Sequence, residues 1–343
     1  MAQFSAIWIG NPFFQSALAD LGWRVHWINP STEAILGWKD IVRDAGFVPD
    51  IIIVGDKSLP PFVVGIEDFP CLTAFYAVDS HIHSWFPFYA QAFDICLVSL
   101  KDHIPLFSGK RLPGDLIWWS PPFAKPEDIP HPPAPEKPLW DILFVGTVDQ
   151  AVNPERAEFM CRLSNLEPRL HVTHGSYREL YPQAKIVLNH TAANDLNFRV
   201  FEALGCGACL VTPLVRHGFD DFFKTGQNLF TYDQQNVEGL VALLNALLTA
   251  PTRCKKVAAA GHTTVLAGHY MRHRAEGFAS RVALLRRSGK AEKTITERLL
   301  KAASIRSTWL RLLYLHHAET AKDPAREEMY LAAARGLTSL RIE

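Results

Sequence analysis

The stretch NDLNFRVFEALGCGACLVT, Asn194–Thr212, decides how the chain is read. A polar loop rich in Asn runs into a short segment carrying Arg199 and Glu202, then two glycines two apart, then an apolar run too short for another helix. Residues at i and i+3 share one face of a helix, so the guanidinium and the carboxylate emerge together at a helix start. Helix N-termini attract anions through free amide hydrogens and the dipole, and Arg adds a bidentate clamp for phosphate. A carboxylate one turn later offers two acceptor oxygens to the two hydroxyl donors of a ribose. Diphosphate plus ribose is a nucleoside diphosphate. An Arg–Glu surface pair at a helix start fits the same two residues equally well.

The segment LFVGT, Leu143–Thr147, is a second piece. A strand ending in glycine lets backbone approach a phosphate with no Cβ in the way. Neither G-x-G-x-x-G nor G-x-x-x-x-G-K-[ST] occurs, which excludes the usual dinucleotide fingerprint and the P-loop.

Around these pieces, short apolar runs alternate with helical patterns. The strand candidates are 6–10, 24–29, 50–56, 71–79 and 94–100 in the first half, and 140–147, 169–175, 185–191, 208–212 and 228–233 in the second. Runs that are apolar at every residue suit parallel strands covered by helices on both faces. Between the two series lies Ser120–Pro138, with eight prolines in nineteen residues, which cannot join a helix interior or a central strand. The expected organisation is an α/β chain of two doubly wound parallel-sheet domains: 1–122, a proline-rich linker 123–138, a second domain 139–270, and C-terminal helices 271–343, the first packing back on the N-terminal domain. Ligands of open α/β sheets bind outside the carboxyl ends of the strands, so the expected site is a cleft between the two domains. The last helix is expected to open at Asp323–Pro324 and to close before Gly336.

Hydrophobic residues make up 48% of the 343 and charged residues 20%, the composition of a globular protein. Formal net charge is zero, which argues against a nucleic-acid partner. The N-terminus lacks the basic and apolar regions of a secretory signal, and no window is long and apolar enough for a transmembrane helix, so a cytoplasmic location is expected. The six cysteines read as reduced small hydrophobes. Cys206-Gly-Ala-Cys209 lacks the second pair that a zinc ribbon needs and reads as small residues in a helix-to-strand turn.

Four segments carry a family resemblance: VDSHIHSWFPFYAQAFDICLVSLKDHIPLF (78–107), DILFVGT (141–147), SYRELYPQAKIVLNHTAANDLNFRVFEALGCGACLVT (176–212) and GHTTVLAGHYMRHRAEGF (261–278). In them the chain resembles the GT-B glycosyltransferases, and within these the bacterial CgeB-like (spore-maturation-type) group related to family 4. The likeness covers most of residues 70–280. It implies a nucleotide-sugar donor in the second domain, an unidentified acceptor in the first, no cofactor and no metal. Glu202 then corresponds to the ribose-binding carboxylate. Arg199, Asn194 and Asn197 take the diphosphate and sugar region with Gly146 and Thr147 opposite, and Tyr177 lies where a base is held. Family 4 enzymes generally carry a glutamate eight residues before Glu202, where this chain has Asn194.

In VDSHIH, Asp79, His81 and His83 follow a strand's carboxyl end. A carboxylate with an imidazole is the usual equipment for an acceptor proton, so Asp79 and His81 are the catalytic candidates. The other readings are His81 on the donor phosphate or sugar, an Asp capping the next helix with the histidines on a surface turn, and a metal site. Gly10-Asn11-Pro12 offers a further cleft-lining turn. The expected activity is transfer of a sugar from a nucleotide diphosphate sugar. A nonhydrolysing nucleotide-sugar epimerase, and a silent GT-B module that binds a protein partner or itself through the C-terminal helices, are the alternatives.

Overall fold

The computed structural model describes residues 4–109, 111–129, 137–191 and 193–337. The chain divides into two compact units, Met1–Pro121 with Arg274–Glu343, and Pro122–His273.

The first unit holds a six-stranded parallel sheet in the order β2-β1-β3-β4-β5-β6. Its strands are β1 (Ser5–Gly10), β2 (Arg24–Ile28), β3 (Ile51–Gly55), β4 (Leu72–Ala77), β5 (Ile95–Val98) and β6 (Ile117–Trp119). The first five are the expected apolar runs. The three residues of β6 are too few to show a periodicity and were missed. Every residue of β3, β4 and β5 is buried, as strands covered on both faces must be. Chain direction across the sheet reverses between β1 and β3, so their carboxyl ends form a topological switch point. There a Cβ on Gly10, whose φ is +101°, would lie 2.1 Å from the Gly55 carbonyl oxygen, and one on Gly55 would lie 2.6 Å from the Asn11 oxygen. The two strand ends meet only because both residues are glycine.

The C-terminal helices of this unit are anchored by a buried cation. Arg298, on the Lys290–Leu300 helix, is fully buried, and its guanidinium donates to Asp94 Oδ1 at 2.9 Å and to the carbonyls of Ile66, Glu67, Phe69 and Cys71 at 2.8, 3.0, 2.8 and 2.8 Å. Asp94 also accepts from the amide and hydroxyl of Thr73, at 2.9 and 3.0 Å. Farther along, Asp323 caps the Pro324–Arg335 helix by accepting from Ala325 N at 3.1 Å, and Gly336 ends it at φ 75°.

The second unit holds a five-stranded parallel sheet in the order β11-β10-β9-β7-β8. Its strands are β7 (Trp140–Val145), β8 (Leu170–Thr173), β9 (Ala184–Leu188), β10 (Leu210–Pro213) and β11 (Phe230–Tyr232). Ile142, Phe144, Ile186, Leu188 and Val211 from the sheet form one core with Leu240, Leu244 and Val257 from the Val237–Leu248 and Pro251–Gly268 helices. This sheet reverses between β7 and β9, which puts a switch point at Val145–Thr147 and Leu188–His190.

Of the proline-rich stretch 123–138, residues 130–136 lie outside the described residues. Phe123–Ile129 belongs to the second unit, with Phe123 and Ala124 fully buried and Pro126–Asp128 a tight helical turn. Ala124 bonds to either side of the break between the Pro251–Gly268 and Met271–Arg287 helices, donating to the His269 carbonyl at 3.0 Å and accepting from Met271 N at 2.8 Å. From Arg274 the chain is part of the first unit. No helix among the described residues is long and apolar enough to cross a membrane.

Arg298→Ala is expected to destabilise the first unit by about 3–5 kcal/mol, because it leaves the Asp94 carboxylate buried and unpaired. Arg298→Met with Asp94→Asn should recover part of that loss. Chemical denaturation of the three proteins measures it, and a single-variant cost under about 1 kcal/mol would mean that the buried pair does not hold the helices.

Candidate functional site

Arg199 stands at the second unit's switch point, in the first turn of the Phe198–Gly205 helix. Asn197, the residue before this helix, has extended backbone and makes no side-chain cap; its Oδ1 instead accepts from Asn189 Nδ2 at 3.3 Å. The first turn carries no acidic residue. Asn189 is fully buried just beyond β9, and its Nδ2 also donates to Thr212 Oγ1 at 3.0 Å. Its backbone carbonyl accepts from the Tyr232 hydroxyl at 2.9 Å. With its groups committed this way, the Asn189 Oδ1 accepts from Arg199 Nη1 at 3.0 Å, and the His190 carbonyl accepts from the same nitrogen at 3.3 Å. These two acceptors are neutral, so they fix the guanidinium in place without cancelling its charge themselves.

The end of β7 closes around this cation. A Cβ on Gly146 would lie 3.1 Å from Arg199 Nη2 and 3.2 Å from the Phe144 ring, and that ring's centre is 5.4 Å from the guanidinium carbon. Exposed Thr147 follows, and its carbonyl accepts from Arg156 Nη1 at 3.3 Å. Arg156 lies in the first turn of the Pro154–Leu166 helix, which is capped by Asn153 Oδ1 on the Arg156 amide at 3.0 Å. Its Nε is buried with no partner. Burial, and then the charge of Arg199, make the Arg156 guanidinium easier to deprotonate than usual, against the opposing pull of Asp195. Two guanidinium groups close enough to repel are relieved by a ligand with two adjacent anionic centres. Sequence reading missed Arg156. Its one signal is Asn153-Pro154, a cap and first-turn pair that starts a helix just after the glycine turn. Asn194 is exposed with φ 55°, on the loop that leads into the Arg199 helix.

Glu202 sits one turn beyond Arg199. Burial, and then the charge of Asp128, raise its carboxyl above the ordinary range, while Arg199, Lys125 and a hydrogen bond from Tyr177 oppose the shift. The Tyr177 hydroxyl donates to Asp128 Oδ1 at 2.8 Å, and its ring packs with Tyr181 at 5.5 Å and under the Arg178 guanidinium at 5.2 Å. Tyr177, expected at a base, therefore has its polar end tied beside Glu202. Asp128 is 1% exposed and also accepts from Lys125 N at 2.7 Å and from Arg178 Nε at 2.9 Å. Sequence reading passed over it because it lies in the proline-rich stretch. Gly205 explains the proximity: a Cβ there would be 2.9 Å from the Ala124 Cβ and 3.2 Å from the Asp128 Cβ. The first glycine of the Gly-Cys-Gly turn thus permits a close approach, and Gly207, at φ +72°, supplies the left-handed turn into β10. His190 stacks on Phe159 with ring centres 4.3 Å apart, and burial with the nearby Arg156 and Arg199 charges lowers it to about 4.

In the first unit, Asp79 and His81 follow β4, where the sequence put them. The turn is held from below by Asp56, 3% exposed at the end of β3, which accepts from the amides of Ser58, Val78 and Asp79 at 2.7, 3.1 and 2.7 Å. Burial, and then the Asp79 charge, push Asp56 up to about 6. The Asp79 carbonyl accepts from Ile82 N and His83 N at 2.9 and 3.0 Å, closing the turn. His83 Nε2 is 2.9 Å from Ser58 Oγ, and His81 Nδ1 is buried without a partner. Gly10 ends β1 at this unit's switch point, and exposed Asn11 follows it. Among the described residues no three His, Cys, Asp or Glu side chains gather as a metal-ligand set.

Residues 133–280 match the model of a family described as glycosyl transferase-like. No curated protein is significantly similar to the chain in sequence. Among solved structures, a glycosyltransferase from Rickettsia africae superposes with a TM-score of 0.57 at 11% identity, over 82% of this chain and 98% of that one. Sucrose-phosphate synthase from Thermosynechococcus elongatus gives 0.57 at 12% identity, over 83% and 100%. The Anabaena protein HepE, solved in complex with UDP and glucose, gives 0.54 at 13% identity, over 82% and 100%. At such identities the likeness is one of fold, and that fold, two parallel-sheet α/β domains with C-terminal helices, is GT-B.

Proposed function

We propose that the second unit binds a nucleotide diphosphate sugar and that the protein transfers the sugar to an acceptor hydroxyl. The observation that carries this reading is the pinned Arg199, with Arg156 beside it and Glu202 one turn on, all at a sheet switch point. The GT-B fold and the glycosyl transferase-like match over residues 133–280 support it, as does the UDP and glucose bound by the Anabaena neighbour. In this reading Glu202 accepts from the ribose hydroxyls, while Arg199, Arg156 and the helix start face the diphosphate. Gly146 and Thr147 line the opposite side, and Asn194 and Asn197 border the sugar. The narrower CgeB-like assignment rests on the four matching segments, and the amide at Asn194 leaves the donor sugar a separate proposal from the fold.

The chemistry follows from charge. As the bond from sugar to diphosphate breaks, negative charge grows on the leaving oxygen and positive charge on the sugar ring. Preorganised guanidinium groups and helix amides stabilise that leaving charge without reorganising at the moment of reaction. No protein-held metal is needed for this, so turnover should persist in EDTA; loss in EDTA with rescue by manganese would overturn the metal-free part. In the first unit Asp79 takes the acceptor proton with His81 beside it, and Asp56 fixes the turn that carries both.

Removing the Glu202 carboxylate leaves ligand hydroxyls without a charged acceptor, at a cost of roughly 1.5–3 kcal/mol, on the order of 10- to 100-fold in affinity. Glu202→Ala should therefore weaken uridine and UDP alike. Arg199→Ala should weaken UDP far more than uridine, since only UDP carries the anion. Calorimetric titration of both folded variants with both ligands gives the pattern. Wild-type affinity for UDP in Glu202→Ala would remove the ribose assignment.

Asp79→Asn and His81→Ala should each lower turnover by about 10²-fold or more if these groups handle the acceptor proton, with UDP affinity nearly unchanged. Donor hydrolysis or transfer assays measure this. Full turnover in both variants would make the turn structural.

A further inference from the structure

The Arg311–Thr320 and Pro324–Arg335 helices lie beyond the 133–280 family match, and in the first unit they help to wall a pocket of 400 Å³. Its walls include Pro60, His317, Lys322, Arg326 and Tyr330. Tyr330 is buried and committed, its hydroxyl donating to the Pro61 carbonyl at 2.9 Å. Two other wall residues are not satisfied. His317 is 8% exposed, and its Nε2 is buried with no partner among the described residues. Half-buried Arg326 leaves its Nε in the same condition. Native structures rarely leave buried nitrogens unpaired, so two in the wall of one pocket point to a ligand that completes them.

The acids in these walls do not answer the cations. Asp323 spends its carboxylate on the helix cap, and Glu33 is exposed. Neither Lys322 nor Arg326 forms an ion pair among the described residues. Burial, and then the charges of His316, Arg326 and His83, bring His317 down to about 4, so its ring is neutral at neutral pH. An unpaired guanidinium beside a neutral imidazole offers hydrogen-bond donors to an anion. The pocket also adjoins the turn that carries Asp79. The Trp85 ring lies 5.6 Å from the His317 ring and 5.7 Å from the His83 ring. Pro60 follows closely on Ser58, whose hydroxyl is 2.9 Å from His83 Nε2.

We infer that this pocket anchors the acceptor, and that the acceptor carries an anionic group, a phosphate or a carboxylate, seated on Arg326 and His317 while its hydroxyl reaches the Asp79 turn. The acceptor role rests on the proposed sugar transfer, whereas the anion site rests on this pocket alone. A guanidinium binds either anion through two parallel hydrogen bonds, and exposed Lys322 adds charge at the rim. A neutral acceptor would leave the buried nitrogens unpaired, and a site built around a charged or polar group rejects an analogue that lacks it. Arg326 and His317 thus determine specificity, and the proton of the acceptor hydroxyl still leaves at Asp79.

The full-length protein with isotope-labelled histidine is titrated by NMR at constant ionic strength, its His317 and His83 signals assigned with His317→Gln and His83→Gln. Inorganic phosphate and acetate are the bare anions; glucose-6-phosphate, glucuronate and glucose are the sugar probes. Phosphate or acetate should shift the His317 signal saturably, and the stronger of the two names the anion. Arg326→Gln should weaken that response about tenfold or more, and Arg326→Lys less. The matching anionic sugar should also move His83, and glucose should move neither signal. No saturable shift at His317, an equal shift in Arg326→Gln, or a response to glucose alone would overturn the anion site. An anionic sugar that moves His317 and leaves His83 unmoved would overturn the acceptor role. Melting curves of the Arg326 variants separate lost binding from lost fold. UDP titration of the same samples reads the donor site by itself, so its failure would count against sugar transfer and not against the anion site.

Discussion

The arrangement at the second switch point depends on one buried amide. A buried Asn must satisfy its donor and acceptor groups within the protein, because each left unpaired costs on the order of 1–3 kcal/mol. Asn189 meets that requirement with three elements at once: Thr212 on β10, Asn197 before the helix, and Arg199 inside it. Occupying the Asn197 side chain leaves the helix start without its usual side-chain cap, and pinning Arg199 with neutral oxygens keeps a cation there. Both consequences make the same spot favourable for an anion. In the proposed function, the anion site would follow from how one buried polar residue is satisfied, its cation already held by the protein's own hydrogen bonds.

A second constraint is steric, and glycine carries it in both units. Gly10 and Gly55 let two strand ends meet in the first. In the second, Gly205 lets the 124–128 segment lie on the helix that bears Glu202, and Gly261 brings the Pro251–Gly268 helix close to Leu204 on that same helix. The close approach at Gly205 delivers Asp128, whose carboxylate then fixes Tyr177 and Arg178. Buried charge recurs as a positioning device: Asp128 in the second unit, and Asp56 and the Arg298–Asp94 pair in the first, each organise backbone or a neighbouring side chain. None of them is free to move without leaving a charge unpaired.

What was legible in the sequence were features with a local period or a local order. Apolar runs gave ten of the eleven strands among the described residues, most plainly β3, β4 and β5, where burial on both faces leaves little polar alternation. Gly146, Asp79 and His81 sit just past strand ends, and Arg199 and Glu202 on the helix between β9 and β10, where α/β topology directs attention. Of the residues that escaped, Asp128 and Asp56 act through partners far along the chain: Asp128 reaches Tyr177 across forty-nine residues, and Asp56 reaches Asp79 across twenty-three. Asn189 and Arg156 bond nearer neighbours, but no local period marks them. Composition misled at Phe123–Ile129, where prolines marked a stretch that carries a buried carboxylate.

The central claim is that a nucleoside diphosphate occupies the second switch point with its charge on Arg199 and Arg156 and its ribose on Glu202. A crystal structure of the protein grown with UDP tests it most directly. The account predicts diphosphate oxygens within hydrogen-bonding distance of both guanidinium groups and the Phe198–Gly205 helix start, and both ribose hydroxyls on the Glu202 carboxylate. UDP bound elsewhere, or bound at this spot with its ribose turned away from Glu202, would contradict it.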